Sequence, residues 1–217
     1  HYIVREYMQL IQKEHFSFVE EIIPSYTSVL INYNPEMVEY EKLKENLIGL
    51  NKKLDTNIKY ETNIVHIPVI YGKEYGPDLG FVAKCNNLTE KEVIKIHSER
   101  KYLIYMLGFT PGFPFLGGMS KRITAPRLEE PRTKIAAGSV GIAGSQTGIY
   151  PIDSPGGWRL IGKTPVKLFL PKKENPVVLR MGDYIKFEPI NENTYLEILD
   201  NIKNNKYKIK ITKGEEK

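Results

Sequence analysis

Glycine and proline placement constrains this chain more than any other feature. Between Gly108 and Pro165 fall 11 of its 17 glycines and 7 of its 14 prolines. Long helices do not survive such punctuation, since an interior glycine costs roughly 1 kcal/mol relative to alanine and a proline about 3 kcal/mol. Short strands joined by tight turns do. The runs at residues 102–107, 139–143, 147–152, 158–161, 166–170, 177–179 and 184–187 read as such strands and predict a compact β-barrel or sandwich.

The first third has a different texture. Residues 2–13 place Ile3, Tyr7, Leu10 and Ile11 at helical spacing. Two β-like runs follow, at 18–23 and 28–33, separated by Pro24-Ser25-Tyr26. Asn34-Pro35-Glu36 predicts the start of a second helix, with Asn as N-cap and Pro in the first helical position. Its apolar stripe would run through Met37, Tyr40, Leu43, Leu47 and Leu50. A third β-like run, 62–70, sets Ile64, His66 and Pro68 on one side and Val65, Ile67 and Val69 on the other. The order α-β-β-α-β is that of a ferredoxin-like βαββαβ unit lacking its first strand. That strand is expected to precede His1, the alternative being that a partner chain fills its place; His1 is itself expected to be a tag remnant or the first ordered residue.

Residues 77–99 predict two short helices. The first starts at Pro77-Asp78; the second opens on the capping box Thr89-Glu90-Lys91-Glu92 and ends near His97. Near the other end, 193–202 reads as a surface helix, and Lys203, Lys206, Lys208, Lys210 and Lys213 read as a solvated charged face. The expected fold class is therefore α+β. Residues 1–72 would form the ferredoxin-like domain, 73–100 a helical connector, 101–190 the barrel, and 191–217 a C-terminal helix with a charged tail.

Composition excludes several functions. A hydrophobic content of 41% with 26% charged residues is that of a globular protein. No apolar run approaches the roughly 18 residues that cross a bilayer, and the mixed N-terminal residues predict no signal peptide. A lone cysteine, Cys85, cannot form an internal disulfide, so a reducing cytoplasm is expected; as a residue it reads as a small buried apolar group. The histidines at 1, 15, 66 and 97 are scattered and have no cysteine partners, which argues against a metal site. The net charge of +5 comes without any nucleic-acid-binding motif.

Most of that charge lies in the glycine-rich span. Lys121, Arg122, Arg127, Arg132, Lys134, Arg159 and Lys163 face only Glu129, Glu130 and Asp153 there, a net +4. Glycines that let backbone N–H groups approach a ligand, flanked by cations, predict a pocket for an anion or carboxylate. Two strings in the span imitate familiar motifs. GWRLIGKT at 157–164 fits the phosphate-loop letters, but strand-like residues follow where the mechanism needs a helix N-terminus. AGSVG at 137–141 resembles a nucleophile elbow around Ser139, but lacks the first glycine and the following helix. His97 admits two readings: a helix-terminal histidine favourable to the dipole, or a general acid/base at the barrel mouth. Trp158 reads equally as a core anchor or a ligand platform.

Longer strings carry a resemblance. IKIHS (94–98), YMLGFTPGFPFLGG (105–118), PRT (131–133), AGSVGIAGSQTGIYP (137–151) and SPGGWRLIGKTP (154–165), with IPV (67–69) and YGPDL (75–79), are similar to successive signatures of one family. That family is the B-type subunit of 5-oxoprolinase, also called allophanate hydrolase subunit 1, which includes the KipI-type inhibitor of a sporulation histidine kinase. The resemblance covers nearly the whole chain. It implies a ferredoxin-like N-terminal domain joined to a cyclophilin-like β-barrel; the family's glycine-containing first strand is absent from this sequence. It implies a component inactive alone, working with a C-type and an A-type partner to open the lactam of 5-oxoproline to glutamate. ATP, bound at the level of the complex, would phosphorylate the amide oxygen before water attacks. The alternatives it leaves are inhibition of a histidine kinase and a carboxyltransferase or allophanate-hydrolase-type role in urea-amide metabolism.

On this resemblance, His97, Arg132 and Tyr150 are the expected catalytic residues. Arg132 would hold a carboxylate or phosphate through its forked donors, and His97 would shuttle a proton. Gln146, Tyr150 and Ser154 would orient the amide. Gly112, Gly138 and Gly157 would let backbone approach, with Phe113, Ser139, Thr147 and Trp158 completing the binding residues. No metal, nucleic acid or membrane is expected.

Overall fold

The computed structural model describes residues 2–55 and 60–215; His1 lies outside them. The chain forms two compact units, divided between Tyr60 and Glu61.

In the first unit, helix α1 (Tyr2–Glu14) and helix α2 (Tyr40–Leu50) accompany a hairpin of β1 (Val19–Pro24) and β2 (Val29–Tyr33). Leu10 and Ile11 of α1 meet Leu50 of α2, with Ile22, Val29 and Ile31 of the hairpin packed on them. Each such side chain contributes about 1.5 to 3 kcal/mol when fully buried. The Tyr7 hydroxyl donates to the Leu47 carbonyl at 2.5 Å, tying the helices together. Glu6 is buried and accepts a hydrogen bond from Tyr60, whose ring also carries the Arg5 guanidinium at 4.1 Å. The second helix starts later than expected. Asn34 Oδ1 accepts the Glu36 N–H at 2.9 Å, so Asn34-Pro35-Glu36 forms a turn and α2 begins at Tyr40. Met37 and Tyr40 are consequently exposed, and Leu43 and Leu50 supply the buried stripe.

The run expected to complete this unit belongs to the second one. Strand β3 (Glu61–Tyr71) is the centre of an eight-stranded sheet. It pairs in parallel with β11 (Tyr184–Pro189) and antiparallel with β10 (Arg159–Lys163) and β12 (Ile211–Glu215). The boundary between units thus falls well before residue 72, because β3 is apolar on both faces, as a central strand must be. From β11 the path continues through β4 (Lys101–Leu107) to β5 (Pro114–Gly117); from β10 it continues through β7 (Ser139–Ala143) to β8 (Gln146–Ile149). The two ends, β5 and β8, lie against each other, so the sheet comes close to closing into a barrel. A short ribbon of β6 (Arg132–Ile135) and β9 (Ser154–Gly156) stands beside it.

Helices α3 (Leu79–Cys85) and α4 (Glu90–Ser98) pack Leu79, Val82, Val93 and Ile96 into the same core as Ile67, Ile104, Ile142 and Phe187. The capping box of α4 forms as expected: Thr89 Oγ1 accepts the Glu92 N–H, and the Glu92 carboxylate accepts the Thr89 N–H at 2.8 Å. Cys85 is exposed, not buried. Helix α5 (Glu192–Lys203) follows β11. Residues 166–170 and 177–179 contribute only an isolated bridge between Phe169 and Val177. The supposed charged tail carries β12, with Tyr207 and Ile209 packed on the core. Among the described residues no helix is long and apolar enough to cross a membrane.

Candidate functional site

Five of the expected residues meet around one cavity. Phe113, Gln146, Tyr150, Gly157 and Trp158 line a space of about 280 Å³, together with Phe109, Phe115, Arg127, Pro155 and Gly156. Phe113 immediately precedes β5, Gln146 opens β8, Tyr150 follows it, and Trp158 precedes β10. The near-closure of the barrel at β5 and β8 is therefore what assembles the wall. Phe113 is its hub: its ring stands edge-on to Trp158 at 5.7 Å, to Phe115 at 5.3 Å and to Tyr150 at 5.9 Å. Each edge-to-face pair adds about 0.5 to 1.5 kcal/mol beyond the area buried, so the wall is stiff. Gly148 on β8 leaves the room these rings need, since an added Cβ would sit 3.2 Å from both Phe113 and Trp158.

At the mouth stands Phe109, 73% exposed and held at φ +67°. Burial pushes the Tyr150 phenol above its ordinary pKa, while the Trp158 backbone N–H and the charges of Arg127 and Arg132 pull it back. The hydroxyl stays protonated near neutral pH and is an available donor. Ser154, on β9, has its Oγ buried with no hydrogen-bond partner among the described residues.

The structure separates Arg132 from this free chemistry. Its Nη2 lies 3.0 Å from the Asp78 carboxylate, and its Nη1 donates to the Trp158 carbonyl at 3.3 Å. Asp78 also accepts the Leu160 N–H at 2.7 Å. The pair forms a bracket between the start of α3 and the Trp158–Leu160 backbone, so the guanidinium expected to grip a ligand is engaged in holding a cavity wall.

His97 lies on α4 and is wholly buried. Tyr71 donates to its Nδ1 at 2.8 Å. The Thr147 hydroxyl donates to the Gly141 carbonyl at 3.0 Å, so it accepts from His97 Nε2 at 2.8 Å, which fixes the tautomer. Phe187 stacks on the ring at 4.4 Å. Burial lowers the His97 pKa from 6.5 to about 3. A neutral imidazole with both nitrogens engaged, away from the cavity lining, has the surroundings of a core strut rather than of a proton shuttle. Thr147 shares that core position.

The remaining expected residues are dispersed. Ser139 is buried at the start of β7, where its backbone bonds Ala136 and Tyr150. Gly138 has φ +86°, and an added Cβ would run into the Thr164 carbonyl; its bareness serves a chain crossing. It borders a separate depression of about 320 Å³ lined also by Lys163, Tyr195 and Leu199. Gly112 lies in a shallow depression formed by residues 107–112. A larger one, about 530 Å³, runs between residues 166–178 and 202–209 and touches none of the expected residues. The phosphate-loop string at 157–164 is occupied by β10, with Leu160, Ile161 and Gly162 buried, and makes no phosphate cradle. Among the described residues no cluster of three or more His, Cys, Asp or Glu side chains could hold a metal ion.

Sequence reasoning passed over Asp78 and the flanking rings of Phe109 and Phe115, and named Arg127 only as one of the span's seven cations. The aromatic repeat in GFTPGFPF was the available signal for the two rings. Asp78 gave none, because its partner stands 54 residues away.

The family model described as "Carboxyltransferase domain, subdomain C and D" matches residues 2–179. The B-type subunit of 5-oxoprolinase from Bacillus subtilis (strain 168) is 49% identical over 204 residues, covering 89% of this chain and 85% of that protein. The crystal structure of a conserved uncharacterized protein from Pyrococcus horikoshii shares 45% identity, with a TM-score of 0.59 over 88% of each chain. The urea carboxylase of Kluyveromyces lactis shares the fold, with a TM-score of 0.81 at 21% identity, over 98% of this chain and 22% of that one. A mixed α/β chain with this nearly closed barrel and these relatives belongs to the carboxyltransferase domain, subdomain C and D family, and within it to the 5-oxoprolinase B-type subunits.

Proposed function

We propose that this chain is the B-type component of an ATP-dependent 5-oxoprolinase of the cytoplasm, inactive alone and acting with A-type and C-type subunits to convert 5-oxoproline to glutamate. The observation that carries the reading is the convergence of Phe113, Gln146, Tyr150 and Trp158 on one small cavity, in a chain so similar to proteins of that name. At about 280 Å³ the space lies at the small end of ligand pockets and suits a single five-membered ring. Its aromatic walls accept the ring methylenes. The Gln146 amide both donates and accepts, so it can meet a lactam N–H and C=O together. The Tyr150 hydroxyl donates to the carbonyl oxygen, and Gly157 lets backbone close on the ring.

ATP supplies the phosphoryl group that makes a lactam carbon electrophilic. The described residues offer no phosphate loop, so we assign ATP to a site made with the partner subunits. This chain then binds, orients and dries the lactam. Arg132 and His97 keep indirect roles: the first fixes the Trp158 backbone, the second stiffens the barrel behind Gln146. In the same reading the first unit is ferredoxin-like and the barrel is cyclophilin-like.

Glutamate release from 5-oxoproline and ATP, measured with all three subunits and with each omitted in turn, tests the proposal. Turnover that vanishes without this chain supports it. A well-folded complete mixture with no turnover, or turnover indifferent to this chain, overturns it.

A further inference from the structure

Two arginines stand near the Tyr150 phenol, and the structure gives them different situations. Arg132 is engaged by Asp78 and by the Trp158 carbonyl. Arg127 lines the cavity itself, as the one charged residue there, and no ion pair or hydrogen bond occupies its guanidinium among the described residues. Its side chain is exposed, in the stretch following Pro126, so its forked donors reach the cavity without first having to break a bond within the protein.

We propose that Arg127 is the specificity-determining residue of this site, the group that receives the carboxylate of a small lactam acid. The inference rests on the reading of the chain as a 5-oxoprolinase component, and deepens it. A carboxylate beside a lactam ring needs one cation at the edge of an otherwise uncharged, aromatic cavity. Arg127 is that cation, and a planar fork matches a carboxylate with two parallel hydrogen bonds. With the carboxylate held at the rim, the lactam is carried inward toward Gln146 and Tyr150. Arg127 also sets what the site refuses: a lactam without a carboxylate leaves the guanidinium unanswered and gains nothing from it.

The test compares 5-oxoproline with 2-pyrrolidinone, the same ring without the carboxylate, in the complete complex and on this chain alone. Arg127→Ala should raise KM for 5-oxoproline about 10- to 100-fold, with kcat changed far less. Catalytic efficiency toward 2-pyrrolidinone should stay within about twofold. Arg127→Lys, which keeps charge but loses the fork, should recover only part of the loss. An unchanged KM in Arg127→Ala, or an equal loss with both lactams, overturns the proposal. Trp158 is the only tryptophan of the chain and lines the same cavity, so its emission reports occupancy independently of turnover. The isolated chain should show a change in emission with 5-oxoproline that Arg127→Ala abolishes. The same change in both proteins, or none in the wild type, counts against Arg127 even if the complex turns over; a response specific to Arg127 without turnover counts against the enzymatic reading and leaves carboxylate recognition standing.

Discussion

Asp78 holds the Arg132 guanidinium at 3.0 Å and the Leu160 backbone N–H at 2.7 Å, so one carboxylate sets the position of two ends of the segment that carries Trp158. Replacing it with the amide should free that segment. Asp78→Asn is expected to lower stability by about 2 to 3 kcal/mol, since it leaves a partly buried guanidinium without its counter-charge. The sole tryptophan should emit at longer wavelength as water reaches it. Urea unfolding followed by Trp158 emission measures both, and a variant identical to wild type in both would show that the bracket holds nothing.

The buried His97 predicts a particular acid response. With its pKa lowered from 6.5 to about 3 in the folded chain, protons bind the unfolded state first. Stability from this source is therefore constant above about pH 6.5 and falls as the pH drops toward 3, by up to about 1.4 kcal/mol per unit. His97→Gln, which cannot take up that proton, should show a shallower loss over the same window. Denaturant midpoints at several pH values decide the matter; parallel curves for the two proteins would contradict it.

Two glycines with positive φ should respond differently to alanine. Gly138 has φ +86° and faces the Thr164 carbonyl, whereas Gly144 has φ +57° and open space around it. Gly138→Ala should cost about 2 to 4 kcal/mol, combining strain with a forced shift of β10, and Gly144→Ala about 1 kcal/mol. Thermal unfolding of the pair checks the ordering.

The Thr89 capping box offers a purely local test. Thr89→Ala removes the acceptor for the Glu92 N–H and should lower stability by about 1 kcal/mol. Because α4 contributes no residue to the cavity lining and the change lies at its opposite end from His97, binding of a small lactam should be unaffected.

What could be read from residues alone followed from local physics. The capping box, the start of α1, α5 and most barrel strands rest on neighbours within a few positions. The glycine-rich span pointed to a pocket because glycines and cations cluster there at short range. Errors arose where the deciding partner is remote or where two local signals compete. Asn34-Pro35 serves helix caps and Asx turns equally well. Lys206, Lys208 and Lys210 alternate with Tyr207, Ile209 and Ile211, a strand period hidden inside what looked like a charge run. His97 and Arg132 are residue types that do chemistry elsewhere; only Tyr71, Thr147 and Asp78, brought in by the fold, reveal their engagement here.

Strand β3 has a consequence for how the chain comes to be folded at all. Its neighbours are distant: Asn63 meets Asp183 across 120 residues, and Thr62 meets Gly214 across 152. During synthesis an apolar strand with both faces sticky must wait, unpaired, until most of the second unit has been made. Loops of that length close slowly, and an unpaired strand edge invites association in the meantime. Refolding of this chain should therefore be slow and concentration-sensitive, and good yields in the cell would depend on how soon residues 184–189 and 211–215 reach it.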